Sequence, residues 1–232
     1  MTGRIYLIPV TLGGEDFQKV IPEKVLNITR SLRCFIVEDI RSARRFLRLI
    51  DKEFPVNDTV FFELNEHTSE NEIDHYLEPV MKGYDIGIMS EAGLPGIADP
   101  GALIVALAHK KKITVTPLSG PSSIILALIA SGLNGQNFTF NGYLPVKPEE
   151  RTAKLKELEK KANNGFAQIF METPYRNQKM MESIIGACKS GTRLCIAADI
   201  TLASESIKTM KISDWKQNIP QLTDKLVIFV LQ

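Results

Sequence analysis

Cysteine and histidine are scarce in this 232-residue chain, three of each, and neither is spaced for chemistry. Cys34, Cys188 and Cys195 lie far apart or inside apolar segments. An odd count excludes a closed disulfide framework, and the spacing matches no cysteine metal motif, so all three read as small buried hydrophobes. His67, His75 and His109 form no metal constellation either, and no metal site is expected. His67, in "NEH" just past a strand end, is a surface residue or one that faces an acceptor. Charge of one sign is also missing. With 28 Lys and Arg against 27 Asp and Glu the net charge is +1, which removes a global electrostatic case for nucleic acid and leaves only local patches. No apolar run reaches the roughly 18 residues of a membrane span. The run in "MTGRIYLIPVTLGGED" is too short for a signal peptide, so a cytoplasmic protein is expected. Phosphate loops are absent too: there is no GxxxxGK[ST], and no GxGxxG follows the first strand.

What is present is a core. Apolar residues make up 44% and charged residues 24%, the balance of a globular chain. Short β-branched runs alternate with helix-like stretches: strands at 4–10, 33–39, 58–64, 84–90 and 112–118, separated by segments of helical period. Among these, "IRSARRFLRLIDKEF" places Ala43, Phe46, Leu47 and Ile50 on one face, and "SENEIDHYLEPVMKG" reads as one helix capped by Ser69. Strand–helix alternation at this spacing predicts βαβ units and a parallel sheet. After residue 117 the texture changes. "SGPSSIILALIASGL" is an almost wholly apolar helix, serving as core or interface. "NFTFNGYLP" is a strand with aromatics at Phe138, Phe140 and Tyr143. "PEERTAKLKELEKKANNG" is a charged helix whose thin apolar face holds Leu155 and Leu158, its lysines and glutamates paired along the surface. Further strands at 166–172, 193–200, 206–212 and 224–232 predict a mixed sheet. Trp215 reads as a packing residue. The expected fold class is α/β with two domains, 1–117 mainly parallel and 118–232 mixed.

Two segments look built to meet a ligand. "SEAGLPGIADPG" (90–101) follows a strand and precedes a helix, at the carboxyl end where parallel sheets bind ligands. Gly93, Gly96 and Gly101 let backbone approach closely, while Pro95 and Pro100 stiffen the loop beforehand. A tight connection with Asp99 as helix cap explains the same residues, and spacing does not separate the two. "GPSS" at 120–123 opens a helix and offers free N–H groups and two hydroxyls at a positive dipole end. One serine would suffice for a cap.

Charge is arranged locally. Arg41, Arg44, Arg45 and Arg48 fall at i, i+3, i+4 and i+7 on one helix face, with no carboxylate among them. Such a stripe suits phosphate, although a solvated face is the plainer alternative. Arg30 and Arg33 extend it if they share its side. Glu38 and Asp39 stand at the carboxyl end of the second strand, beside Arg41. They form either a general base with an orienting cation or a structural ion pair.

"YLIPVTLGG", "VEDIR" (37–41), "ELNEHT" (63–68), "SEAGLPGIADPG", "PLSGPSSIILALIASGL" (117–133), "FTFNGYLPVK" (138–147) and "METPYR" (171–176) occur in an order that resembles the tetrapyrrole methylase superfamily. Within it the chain is most similar to bacterial enzymes that methylate the ribose 2′-hydroxyl of a cytidine in small-subunit ribosomal RNA. The resemblance implies two α/β domains, a homodimer, and S-adenosylmethionine bound bent in the interdomain cleft. It implies cofactor contacts from Pro9, Gly93, Leu94, Pro95, Gly96 and Ile97, and from Ser122, Ser123, Glu172, Thr173, Ala198 and Asp199. It also makes Glu38 and Arg41 the candidate catalytic pair, and the stripe Arg41, Arg44, Arg45 and Arg48 the RNA contact.

The chain departs from that family pattern in several places. "IPVTLGGED" lacks the Asn of the family's first loop, Glu91 and Leu94 replace Asp and Thr, "ETPYR" stands for Glu-Ser-Pro-His-Arg, and "AADIT" for Arg-Glu-Leu-Thr. The family's C-terminal extension is not seen. These departures leave a small-molecule or protein side-chain acceptor, or a non-catalytic cofactor binder, as alternatives to RNA.

Overall fold

The structure is a computed structural model that describes residues 2–65 and 68–232. The expectation for His67, and part of "ELNEHT", lie outside the described residues. The chain divides into two compact units, Met1–Ser122 and Ser123–Gln232.

The first unit is built on five strands: β1 Arg4–Leu7, β2 Cys34–Val37, β3 Val60–Glu63, β4 Ile86–Met89 and β5 Thr114–Pro117. They pair in the order β3-β2-β4-β1-β5, all parallel. Helices α1 Glu23–Ser31 and α2 Ile40–Ile50 cover one face, and α3 Glu70–Tyr76, α4 Glu78–Met81 and α5 Gly101–Lys110 the other. Alternate strand residues therefore feed two cores: Phe35 and Val37 join the α1/α2 side, Cys34 and Ile36 the other. A strand covered on both faces needs a continuous apolar run, which is why β2 and β4, buried at every position, lack polar alternation. The sheet also fixes where a ligand can sit. Connections from β1 to β2 and β2 to β3 run toward one edge, whereas β3 to β4 and β4 to β5 run back. Right-handed crossovers put the two sets on opposite faces. The loops after β1, β2 and β4 thus part company at neighbouring strand ends, a topological switch point.

One expected helix is divided. The segment 69–83 forms α3 and α4, meeting at Leu77. Pro79 has no N–H and suits only the first turn of a helix, so a new helix starts there. Ser69 does cap α3, in a capping box with Glu72.

The second unit orders its strands β6-β7-β10-β8-β9, where β6 is Phe138–Tyr143, β7 Ala167–Met171, β8 Arg193–Ala198, β9 Ser206–Lys211 and β10 Val227–Leu231. β6 and β7 are parallel, and every other pairing is antiparallel. The apolar helix α6, Ser123–Ser131, packs on β8, β9 and β10. The opposite face carries α7 Pro148–Asn163, α8 Asn177–Ala187 and α9 Ile212–Gln217. Phe170 and Phe229 stack there with centroids 5.5 Å apart. Leu155 and Leu158 are buried as the pattern predicts, but α7 also buries Arg151 and Glu159. Arg151 donates to Ser183 Oγ and the Val146 carbonyl, while Glu159 accepts from Lys189 N–H and Thr192 Oγ1. α8 appears where no helix was expected; its inward face is Asn177, Met180, Met181 and Ile184. Trp215 is buried and donates to the Leu194 carbonyl at 2.9 Å, a packing role. All three cysteines are free and buried.

Candidate active site

The three loops at the switch point are tied together by backbone. Val10 N–H donates to the Gly93 carbonyl at 2.9 Å, joining the loop after β1 to the loop after β4. Glu38 N–H reaches the Met89 carbonyl at 3.3 Å, and Glu91 N–H donates to Glu38 Oε2 at 3.2 Å. The loop after β5 closes on the same place. A Cβ on Gly120 would stand 2.1 Å from Pro9 Cβ, and one on Gly93 would meet the Pro121 carbonyl at 3.4 Å. Only glycine at 120 allows Pro9 and the 118–122 loop to touch. Pro9, Gly93 and buried Ser122 are thereby gathered at one end of the sheet.

The 93–101 loop is rigid for an identifiable reason. Asp99 accepts from Gly96 N–H through both carboxylate oxygens, at 3.0 and 2.8 Å, and from Gly101 N–H at 2.7 Å. It caps the start of α5 and also pins the loop. Burial pushes its carboxyl up, and these N–H groups only partly offset that. Gly93 and Gly96 have φ of +70° and +86°, and Ala98 is held at +61°. Pro95 is buried, Leu94 half-buried and Ile97 exposed. Nothing lies within 4 Å of where a Gly96 Cβ would be, so main chain there faces open space. That is the surface a close-fitting ligand needs.

Glu38 is half-buried at the end of β2. Burial pushes its carboxyl above the usual range; the Glu91 N–H opposes this, and the charges of Glu91, Asp99 and Asp39 add to it. Asp39 has the opposite fate. It caps α2, accepting from Ser42 N–H at 2.6 Å, and bonding to Ser42 holds it low. Two adjacent carboxyls are thus set apart, one raised by burial and one held low by its bonds to Ser42. Arg41, on the first turn of α2, is exposed.

The other stripe residues divide by surroundings. Arg44 lies over the Phe61 ring, 5.3 Å from its centroid, and Arg48 donates to the Lys52 carbonyl. Arg45 borders a cavity of about 240 Å³ at the carboxyl edge of the sheet, together with Gly13, Gly14, Phe46 and Glu91. No carboxylate forms a salt bridge with Arg41, Arg44, Arg45 or Arg48 among the described residues. Arg30 and Arg33 do not extend the stripe. Arg30 donates twice to the Ile50 carbonyl and pairs with Glu23, closing the C-terminus of α2. Arg33 precedes β2, at the amino edge of the sheet, and lies over Phe54. Both cations are held by local backbone and rings.

In the second unit, the loop after β7 holds Glu172 and Thr173. Glu172 is buried, accepts from Thr173 N–H at 2.7 Å and pairs with Arg176. Ala198, the last residue of β8, is buried, and Asp199 after it, at φ +53°, accepts from Leu226 N–H, Ser204 Oγ and Lys225 Nζ. Burial pushes Asp199 up, and those three donors together bring it below its ordinary value. Ser123 opens α6. No helix among the described residues is long and apolar enough to cross a membrane, and no trio of potential metal ligands occurs among them.

The comparisons with known proteins agree on one family. The model of the Tetrapyrrole (Corrin/Porphyrin) Methylases matches residues 4–215. This chain belongs to that family. Ribosomal RNA small subunit methyltransferase I of Xylella fastidiosa is 31% identical over 88% of this chain and 71% of its own length. The Vibrio cholerae protein of the same name is 29% identical over 90% and 69%. The crystal structure of the methyltransferase CobJ superposes with a TM-score of 0.65 at 16% identity, covering 99% of this chain and 94% of that one. As a tetrapyrrole methylase the chain is a methyltransferase with the two-sheet fold of that neighbour.

In this methylase, residues at the switch point also matter that sequence spacing did not single out. Gly120 reads as part of a helix-opening turn, yet its contact with Pro9 is what joins two loops. Glu91 looks like a departure from the family loop, and its N–H holds the Glu38 carboxylate. No sequence pattern marks either contact, since each pairs residues more than 50 positions apart.

Proposed function

We propose that this methylase transfers the methyl group of S-adenosylmethionine to a ribose 2′-hydroxyl of small-subunit ribosomal RNA, in the cytoplasm and as a homodimer. The observation that carries the reading is the meeting of a raised carboxyl, Glu38, with a stiff backbone wall at 93–97, beside an arginine-bearing helix. The names of its relatives support small-subunit ribosomal RNA as the substrate.

The residues fit the cofactor. The open space over Gly96 and the Pro9–Gly120 contact make a main-chain cradle that a Cβ would fill or break. Pro9, Gly93, Leu94, Pro95, Gly96, Ile97 and Ser122 would hold S-adenosylmethionine from the N-terminal domain, taken as 1–117 with its following turn. Ser123, Glu172, Thr173, Ala198 and Asp199 would do so from the C-terminal domain. When bound, the cofactor supplies an electrophilic methyl group on a sulfonium.

The protein's part is alignment and proton removal. Glu38 Oε accepts the proton of the ribose hydroxyl as its oxygen becomes a nucleophile. A carboxyl raised by burial and by like charges is a better base than an ordinary one. Arg41 orients the acceptor by its adjacent phosphate, and Arg44, Arg45 and Arg48 continue the contact along α2. Exposed Ile129, Phe138 and Phe166 offer apolar surface on α6 and near the β6 edge of the second unit for the second subunit.

Methyl transfer from labelled S-adenosylmethionine to small ribosomal subunits from cells lacking this protein tests the reading. Label recovered as a 2′-O-methyl nucleotide is the expected result. Cofactor binding without label in RNA would refute the acceptor. Charge reversal of Arg44 and Arg45 should abolish subunit binding and leave cofactor affinity intact. Sedimentation of the purified chain should give twice the chain mass.

A further inference from the structure

The second unit has a cavity of its own, about 370 Å³, beside α9 and the edge strand β9. Its apolar lining includes buried Trp215 and half-buried Met210, and its polar lining includes exposed Lys208, Asn218 and Gln221. No carboxylate lines it. Lys225, which does, is matched by Asp199 at 3.2 Å, whereas no carboxylate forms a salt bridge with Lys208 among the described residues. Uncompensated positive charge therefore stands beside apolar surface. We propose that this cavity binds one nucleotide, its phosphate on Lys208 and its base against the apolar wall, whatever the methyl acceptor is.

Each part of a nucleotide finds its complement there. Lysine is a point charge suited to phosphate, and Lys208 supplies one that nothing nearby neutralises. A base is flat, with apolar faces and an edge of donors and acceptors. Asn218 brings an amide that donates and accepts, and Gln221, whose Nε2 donates to Thr223 Oγ1 at 3.1 Å, keeps its Oε1 as an acceptor. The volume agrees: it displaces roughly twelve waters at ~30 Å³ each, room for one nucleotide and too little for a four-pyrrole macrocycle. S-adenosylmethionine is a poor occupant, because its sulfonium and ammonium would meet lysines with no carboxylate in the lining. The distinction matters because Ala198, proposed above as a cofactor contact, also lines the cavity. A free mononucleotide and one residue of an RNA strand share the chemistry that fits.

Trp215 is the only tryptophan of the chain, so its fluorescence reports on this cavity. The purified full chain is titrated with the four nucleoside 5′-monophosphates, the matching nucleosides and a single-stranded oligoribonucleotide, with calorimetry alongside. At least one monophosphate should bind saturably, about tenfold to hundredfold more tightly than its nucleoside, the worth of a charged hydrogen bond. Lys208→Gln should remove that difference and leave nucleoside affinity within about twofold, since only the phosphate contact is lost. The side chain is exposed on an edge strand, so the variant should fold as the wild type does. If the oligoribonucleotide also binds and Lys208→Gln weakens it, the occupant is a residue of RNA; if it does not bind, the occupant is a free nucleotide. Saturating S-adenosylmethionine should leave the titration unchanged. Displacement by it makes the cavity part of the cofactor site and overturns the proposal. So does equal affinity for monophosphate and nucleoside, a Lys208→Gln variant that binds as wild type, or the absence of saturable monophosphate binding by either technique.

Discussion

Glu38 combines two properties that pull in opposite directions. Its carboxyl is raised by burial and by the neighbouring charges of Glu91, Asp99 and Asp39, so the ionised form that the proposed proton removal needs is the form the fold disfavours. Glu38→Gln should lower turnover about a hundredfold to ten-thousandfold with cofactor affinity kept. In the wild type, the rate should fall as pH drops through a pKa above the ordinary 4.5. Stability should change the other way. A raised folded pKa means the native state binds the proton more tightly, so that contribution is present at low pH and lost as pH rises through the folded value. Glu38→Gln should therefore raise Tm at pH 7, with the gain vanishing toward pH 4, as thermal melts across that range would show. Gly120 is a steric counterpart. Gly120→Ala sets a methyl group 2.1 Å from Pro9 Cβ. Overpacking of this kind should cost about 1–3 kcal/mol, measurable by denaturant unfolding, and weaken cofactor binding.

At the scale of elements, α2 shows how much a short motif can carry. "VEDIR" ends a strand, caps a helix and presents Arg41 within five residues. Asp39→Ala should cost about 1 kcal/mol through loss of the cap to Ser42 N–H. Because the Asp39 carboxyl is held below its ordinary 3.8, the difference from wild type should persist from neutral pH down to that value. It should disappear as pH falls further, through the folded pKa. Removing this charge beside Glu38 should also move the acid limb of the rate profile to lower pH. Strand positions were most legible at β2, β4 and β10, uninterrupted apolar runs of the kind a strand buried on both faces requires. The division of α3 from α4 was signalled by Pro79, although the apolar period continues across the break and hides it. α8 escaped notice because its buried face includes Asn177, whose amide donates to the Lys225 carbonyl, a contact 48 residues away.

For the whole molecule, a net charge of +1 leaves the proposed RNA contact to local basic patches such as the α2 stripe. Replacing Arg41, Arg44 and Arg48 together with glutamine should flatten the dependence of log affinity on log salt by about 0.7–0.9 per lost phosphate contact. Subunit binding at three salt concentrations measures the slope; an unchanged slope would show that the stripe does not touch phosphate. The order of apolar runs and helical periods, together with the glycine and proline of 90–101, was enough by itself to place two α/β units and mark the loop. These signals are local: they depend on side-chain spacing within ten or fifteen residues and on φ preferences of single residues. The tertiary structure alone decided that Pro9, Glu38, Glu91 and Gly120 share one end of a sheet, and that Arg30 and Arg33 serve the backbone while Arg45 borders a cavity. Those outcomes follow from strand order and the hand of the crossovers, which bring together residues that no spacing along the chain relates.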